Sequence, residues 1–312
     1  MKILITDGMA EEAVDMFKKT GHEVVLDEAS PERLLEIIGE YDALCVRSRT
    51  KVRKEVIDRA VRLKVIGRAG IGVDNIDIDY AREKGIKVVN APTGSTLSVA
   101  ELTMGHMIAL ARGIVQGTQG IREGKWLKKQ LKGRELAGKT LGIIGCGRIG
   151  REVAKRAQAF GMNVIGCDPY LPKDAAEKAR IELTDMDHLL RNADFITIHA
   201  NLTPENYHMI NRDAFEKMKK SAYIINCARG GIIDENDLYH ALKDGKIAGA
   251  ALDTFENEPP GETPLAELDN VIFTPHIGAN TVEAQVKAGT IVAEQVLMAL
   301  EGKEPVHWVN KP

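Results

Sequence analysis

Short apolar runs alternate with amphipathic, helix-length segments along almost the whole chain, and that rhythm restricts the fold more than any other feature of the sequence. Lys2–Asp7, Glu23–Leu26, Ala43–Arg47, Lys64–Arg68 and Lys87–Asn90 are strand-length, while Ala10–Thr20 and Pro31–Gly39 place apolar residues at helical spacing. A second series begins at Thr140, with strands predicted in Leu141–Gly145, Asn163–Asp168, Phe195–His199, Ala222–Cys227, Ile247–Asp253 and Val271–His276. Strands separated by helices pair in parallel, because each crossover must return to the starting edge before the next strand begins. The fold class predicted is therefore α/β, with parallel sheets covered by helices on both faces.

At 312 residues the chain exceeds the usual span of one hydrophobic core, so two domains are expected. Ser95–Gln119 reads as a long helix that could join them. Thr281–Leu300 reads as another, which is expected to return the chain to the first domain. The predicted division is 1–94 plus 283–312 for one domain and 95–282 for the other.

Composition closes off several classes of function. The 42 Lys and Arg balance 45 Asp and Glu, with the signs interspersed, which predicts neither a nucleic-acid partner nor a membrane surface. The four cysteines, Cys45, Cys146, Cys167 and Cys227, have no metal-ligand spacing and mostly sit in apolar runs, so no metal is expected and the thiols should be reduced. The first apolar run is cut short by Asp7, as in a strand rather than a secretory signal, and no stretch nears the roughly 18 apolar residues of a membrane span. A cytoplasmic protein acting on a small molecule is the expectation.

Gly145-Cys146-Gly147-Arg148-Ile149-Gly150 follows one predicted strand and opens a helix. Such a turn needs its first glycine for the bend, its second for close approach of a pyrophosphate, and its third for helix–strand packing. The helix N-terminus then offers unpaired N–H groups to the phosphates. Alone, the pattern also suits a plain glycine turn. Asp168, however, ends the next predicted strand 18 residues beyond Gly150, close to the spacing of about 20 expected for the acid that binds the adenosine ribose. A carboxylate there disfavours a 2′-phosphate, so NAD is the expected cofactor. A turn-forming aspartate before Pro169 is the alternative. With six strands expected, the second domain reads as a complete Rossmann sheet.

Three further segments, Asn226–Gly231, Asp253–Pro260 and Thr274–Gly278, end or follow strands of that sheet, where ligands bind in open α/β folds. Moving a hydride from a hydroxy acid to a nicotinamide requires the protein to handle the hydroxyl proton, and His276 suits that role. Glu258 could orient the imidazole, and Arg229 could bind the substrate carboxylate with its fixed charge. Taken singly, Arg229 also fits a surface ion pair, His276 a hydrogen-bonded loop histidine, and Glu258 a solvated acid.

Together, the glycine turn with Asp168, the Arg229-Gly230-Gly231 turn, Glu258 before Pro259 and the Pro275-His276 pair resemble the D-isomer-specific 2-hydroxyacid dehydrogenase family over essentially the whole chain. The resemblance implies two doubly wound parallel-sheet domains, the second a Rossmann dinucleotide-binding domain. It gives Arg229 the substrate-orienting role, Glu258 the histidine partner and His276 the proton donor or acceptor. It also sets Arg148, Ile149, Cys227, Ala228 and Asp253 against the cofactor, with Asp253 receiving the nicotinamide carboxamide and Gly278 on the same side. Glu256 is the alternative acid in that loop, read as solvated.

Val46–Val52 and Gly67–Asn75 resemble the phosphoglycerate-oxidising subgroup, which implies substrate contacts from Arg47, Ser48, Arg68, Gly70 and Ile71. Clustered cations could balance a phosphate and glycine-rich backbone could wrap a carboxylate. A charged loop is the plain alternative. Ile71, and Ala200-Asn201 after His199, depart from the more familiar residues of the family. The implied reaction takes 3-phosphoglycerate to 3-phosphohydroxypyruvate, feeding serine biosynthesis. Glyoxylate or hydroxypyruvate reduction is the alternative on the same framework, and an NAD-sensing corepressor is the alternative of another class. The resemblance further implies a homodimer or higher homo-oligomer, with the helix after Ser95 at its interface. The chain stops at Pro312 without the carboxy-terminal extension that some relatives use to sense serine, so feedback by serine is not expected.

Overall fold

The computed structural model describes all 312 residues, and the chain divides into two compact units, Met1–Ser95 with Ala279–Pro312, and Thr96–Gly278. The first unit runs β1 (Lys2–Ile5), α1 (Glu11–Lys19), β2 (Glu23–Leu26), α2 (Pro31–Ile37), β3 (Ala43–Val46), α3 (Lys54–Arg59), β4 (Val65–Arg68), α4 (Ile78–Glu83) and β5 (Lys87–Asn90). Its sheet has the order β2-β1-β3-β4-β5, every pair parallel. Alternate residues of β1 feed opposite faces: Ile3 and Ile5 join a cluster with Phe17, Val292 and Val296, whereas Leu4 packs with Leu34, Leu44 and Ile66. Strands apolar on both faces are what a doubly covered parallel sheet requires, and each large side chain so buried stabilises by roughly 1.5–3 kcal/mol.

The second unit holds α5 (Thr96–Arg112), α6 (Ile114–Arg122), β6 (Thr140–Ile144), α7 (Arg148–Ala159), β7 (Asn163–Cys167), α8 (Lys173–Lys178), β8 (Glu182–Leu183) and α9 (Met186–Asn192). It continues through β9 (Phe195–Ile198), α10 (Arg212–Lys217), β10 (Tyr223–Asn226), α11 (Glu235–Lys243), β11 (Gly249–Leu252) and β12 (Val271–Phe273). The order β12-β11-β10-β9-β6-β7-β8 is again wholly parallel, and it reverses direction beside β6. The α/β class and the parallel pairing follow the sequence rhythm.

Two features differ from the sequence reading. The sheet has seven strands instead of six, because two-residue β8 adds to the β7 edge. The helix expected over Ser95–Gln119 is two helices: Gly113 adopts φ +60°, a conformation that ends α5, and α6 starts afresh.

The final helix, α12 (Val282–Leu300), starts where the Thr281 hydroxyl accepts from the Ala284 amide at 3.1 Å. Its buried side packs on the first sheet so closely that a Cβ at Gly67 would lie 2.6 Å from Val292. No helix is long and apolar enough to cross a membrane.

Candidate active site

Strand register brings the predicted site together. Ile144 pairs with Cys167 on one side and Ile198 on the other, Ile198 with Asn226, Asn226 with Leu252, and Leu252 with Phe273. These strands end at one level, so the residues after them emerge along a single edge: Gly145, Asp168, His199, Cys227, Asp253 and Thr274. That edge, beside the reversal at β6, is where α/β sheets bind ligands.

The glycine turn has the shape a dinucleotide needs. Gly145 takes φ +87°, and a Cβ there would lie 2.8 Å from the His199 carbonyl carbon. A Cβ at Gly150 would meet the Gly145 oxygen at 2.3 Å, so α7 sits against the turn. At Gly147 a Cβ meets nothing within 4 Å, leaving open space where backbone can approach a phosphate. Arg148 and Ile149 form the first turn of α7. Asp168 accepts from the Cys146 amide at 2.8 Å and the Tyr170 amide at 2.9 Å, so it braces the glycine turn as well as ending β7. A carboxylate has about four acceptor positions, so two remain for ribose hydroxyls. These features fit NAD.

His276 and Glu258 meet directly: Nδ1 lies 2.7 Å from Oε2 of Glu258, leaving Nε2 as the imidazole nitrogen that can face a substrate. Burial works to raise the Glu258 carboxyl. The hydrogen bond and charge of His276, the Phe255 amide and the charge of Arg229 outweigh it and hold the group below its usual range. Glu258 is therefore an anion at neutral pH, suited to support a protonated imidazole. A largely apolar pocket of about 470 Å³ adjoins the pair, with Phe255, Pro260, Phe273 and Pro275 among its walls.

The turn carrying Arg229 is shaped by buried Asn226, whose side chain donates to the Arg229 carbonyl at 2.9 Å and accepts from the Ala228 amide at 3.0 Å. Cys227, beside it, is buried, which pushes its thiol up to about 12 and makes it a packing residue rather than a nucleophile. Gly230, directly after Arg229, packs backbone to backbone on the loop that carries Glu258: a Cβ there would fall 1.8 Å from the Phe255 oxygen. Arg229 and Glu258 thus ride on two segments in direct contact.

Asp253 is buried and already occupied, accepting from the Thr274 hydroxyl at 2.6 Å and from the Ile277 and Gly278 amides at 2.8 Å each. It ties down both ends of the turn that presents His276, and one acceptor position is left for a cofactor amide. Thr274 is met from α5 by His106 at 3.0 Å, a buried histidine whose burial lowers its basicity. Glu256 is not a merely solvated acid: the ring of His208 faces it at 2.9 Å and the Glu235 amide donates to it at 3.1 Å.

The remaining predicted residues belong to the first unit and gather at the carboxyl edge of its own sheet. Arg47 and Ser48 follow β3, Arg68 ends β4, and Gly70 and Ile71 come next. The Arg68 guanidinium lies over Gly70, where a Cβ would overlap it at 1.4 Å, and the Ile71 carbonyl accepts from the Asn90 side chain at 2.6 Å. Sequence reasoning missed what shapes this edge. Asp7, almost fully buried, accepts from the amides of Arg47 at 2.7 Å and Thr50 at 3.0 Å, hydrogen bonds the Thr50 hydroxyl and pairs with Arg49 at 3.3 Å. Asn75 donates to the carbonyls of Arg47 at 2.8 Å and Thr50 at 2.6 Å. The short run Thr6-Asp7-Gly8 directly after an apolar strand was the one available signal.

A seven-stranded parallel sheet with a glycine turn at its reversal point, an acid after the adjacent strand and an imidazole–carboxylate pair at the same edge defines a dinucleotide-binding α/β protein. The sequence model of the NAD-binding domain of D-isomer-specific 2-hydroxyacid dehydrogenases matches residues 104–278. The chain is 56% identical to the D-3-phosphoglycerate dehydrogenase of Methanocaldococcus jannaschii, aligned over 100% of this chain and 60% of that protein. It is 48% identical to the hydroxypyruvate reductase of Thermotoga maritima, over 96% of this chain and 98% of that one. A solved D-lactate dehydrogenase from Aquifex aeolicus, complexed with NAD and lactic acid, superposes with a TM-score of 0.87 at 29% identity and covers 100% of both chains. The chain belongs to the D-isomer-specific 2-hydroxyacid dehydrogenase family. It spans about 60% of the length of the first phosphoglycerate dehydrogenases it matches.

Proposed function

We propose that this protein is an NAD-dependent D-2-hydroxyacid dehydrogenase that oxidises 3-phosphoglycerate to 3-phosphohydroxypyruvate. The observation that carries the reading is the 2.7 Å contact between His276 and Glu258 at the strand edge that also bears the glycine turn. In the oxidative direction, Nε2 of His276 takes the C2 hydroxyl proton, while Glu258 stabilises the imidazolium and keeps Nδ1 protonated toward it. Arg229 binds the substrate carboxylate and polarises the C2 oxygen. NAD, when bound, supplies the carbon that accepts the C2 hydride. Asp168 holds the ribose hydroxyls and disfavours NADP, and Asp253 turns its remaining acceptor toward the carboxamide.

Phosphoglycerate as substrate draws support from the names of the relatives aligned over the whole chain. It also draws support from the Arg47–Lys51 segment, where Arg49 is taken by Asp7 while Arg47 and Lys51 are left without an ion pair to meet a phosphate. A second reading, reduction of hydroxypyruvate or glyoxylate, is supported by the Thermotoga relative, named a hydroxypyruvate reductase and 48% identical over 96% of this chain. Initial rates with NAD and NADP on 3-phosphoglycerate, glycerate, lactate and formate, and with NADH on hydroxypyruvate and glyoxylate, separate the two. At least tenfold higher kcat/KM for 3-phosphoglycerate than for glycerate is expected. Equal values favour the second reading, and no nucleotide-linked turnover of any hydroxy acid refutes both.

The working form is inferred to be a cytoplasmic homodimer formed through α5 and α6. Exposed Ile114, Val115, Ile121 and Trp126 support that interface. Light scattering that returns the mass of one chain at assay concentration rules the dimer out.

A further inference from the structure

Only three residues other than glycine take positive φ, and His208, at +52°, is one of them. A side chain in that region is strained and persists only where its surroundings hold it. For His208 they do. Its amide donates to the Gly231 carbonyl at 2.7 Å, and Tyr207 stacks on the ring with centroids 3.9 Å apart. Nδ1 faces Asp234 at 3.1 Å and Nε2 faces Glu256 at 2.9 Å.

The two acids come from different segments. Asp234 caps α11, accepting from the Asp237 amide at 2.9 Å. Glu256 lies in the loop that carries Glu258, and there the backbone is pinned reciprocally: the Glu256 amide donates to Glu235 at 2.7 Å and the Glu235 amide to Glu256 at 3.1 Å. One ligand-type atom of each lies within 4.8 Å of the others, but the two acids lie against different ring nitrogens, Glu256 hydrogen-bonded to Nε2 and Asp234 in ion-pair range of Nδ1. The arrangement is a strut, with one rigid ring spanning two anchors. The loop it reaches has no helix or strand of its own between Leu252 and Pro264. Glu258 must nevertheless be delivered to within 2.7 Å of His276.

We propose that His208 is a positioning residue, whose ring bridges Asp234 and Glu256 and thereby fixes the loop that aims Glu258 at His276. The inference rests on reading Glu258 and His276 as the proton-transfer pair. The bridging carboxylate of Glu256 is the loop's anchor, and the +52° turn at His208 is what lets one ring reach both acids.

The test compares wild type with His208→Asn and His208→Gly, since both replacements tolerate positive φ and remove the ring without adding strain. Amide exchange of residues 254–258 is measured on the protein alone, alongside NADH titration and steady-state rates with 3-phosphoglycerate and hydroxypyruvate. Exchange in that segment should quicken at least tenfold. The kcat should fall about tenfold to a hundredfold, the range that small misplacements of catalytic groups produce. NADH affinity and the hydroxyacid KM should stay within threefold, and added imidazole should restore part of the turnover of His208→Gly but none to wild type. Unchanged exchange overturns the strut, unchanged kcat overturns its positioning role, and parallel loss of NADH binding and turnover reduces it to general stability. A wild-type protein inactive on both substrates refutes the functional reading in its own arm, while the exchange data still decide whether His208 holds the loop.

Discussion

Replacing Gly230 with alanine should disable catalysis while sparing the nucleotide site. The added Cβ would sit 1.8 Å from the Phe255 oxygen, 2.0 Å from its carbonyl carbon and 2.6 Å from the Glu256 amide nitrogen, all backbone atoms that no rotamer change can remove. Ordinary contact begins near 3.4 Å, so the Arg229 segment and the Glu258 loop must part by about 1.6 Å. Misplacement of catalytic groups by about 1 Å costs on the order of a hundredfold in rate, or about 2.7 kcal/mol of barrier. We expect kcat/KM to fall at least that far. Overpacking should also lower stability by about 1–3 kcal/mol, equivalent to a few degrees in Tm for a domain of this size. The glycine turn and Asp168 follow other strands, so NADH affinity should fall far less than kcat/KM, even though Ala228 and Asp253 border the altered segments. The assay pairs initial rates on the preferred hydroxy acid with fluorescence titration of NADH. Activity within threefold of wild type would show that the two loops need not touch, and the geometric argument would fail.

Asp168→Ala should narrow the preference for NAD over NADP at least tenfold and, because the Cys146 amide loses its acceptor, weaken NAD itself; an unchanged ratio removes Asp168 from the ribose. His199 gives a pH signature. Both ring nitrogens are buried without a partner, and that burial lowers its pKa to about 3. The unfolded chain takes up this proton near pH 6.5 and the folded one does not, so stability falls by about 1.4 kcal/mol for each pH unit below that, down to the folded value. His199→Leu should flatten the decline in unfolding free energy between pH 6.5 and 4.5 by about 2–3 kcal/mol, and parallel curves for the two proteins would contradict it. Asp7→Asn should destabilise by about 1.5–3 kcal/mol through its lost charged hydrogen bonds and should raise KM for 3-phosphoglycerate more than for glycerate. Equal KM changes would detach the Arg47–Thr50 turn from phosphate binding.

What could be read in the sequence was whatever has a local cause. Most strands declared themselves because they are apolar on both faces, and the glycine turn and Asp168 because their spacing is set by one βα unit. His276 and Glu258 stood out because a histidine after a strand and an acid before a proline are distinctive in one dimension, and the structure brings the two side chains into contact. The contacts that hold these groups were not legible. Asp7 meets Arg47 across 40 residues, His208 meets Glu256 across 48 and His106 meets Thr274 across 168, so nothing nearby in the chain marks the pairing. Gly113 stood in plain view inside an apolar helix, yet helices tolerate single glycines. Only the left-handed backbone there shows that this one stops the helix. β8 has two residues, too few for any periodicity to register.

Because α12 closes the first sheet, synthesis and folding fall out of step. When Ser95 has been translated, Ile3, Ile5 and Val65 still lack the Val292 and Val296 they will pack against, and the whole of Thr96–Gly278 must be made first. At roughly 5–20 residues per second that interval lasts about 10–40 seconds, during which the unit encoded second can finish while the unit encoded first waits with an oily face uncovered. The nascent chain therefore has a long window in which the part of that face not covered by α1 lies open to other apolar surfaces.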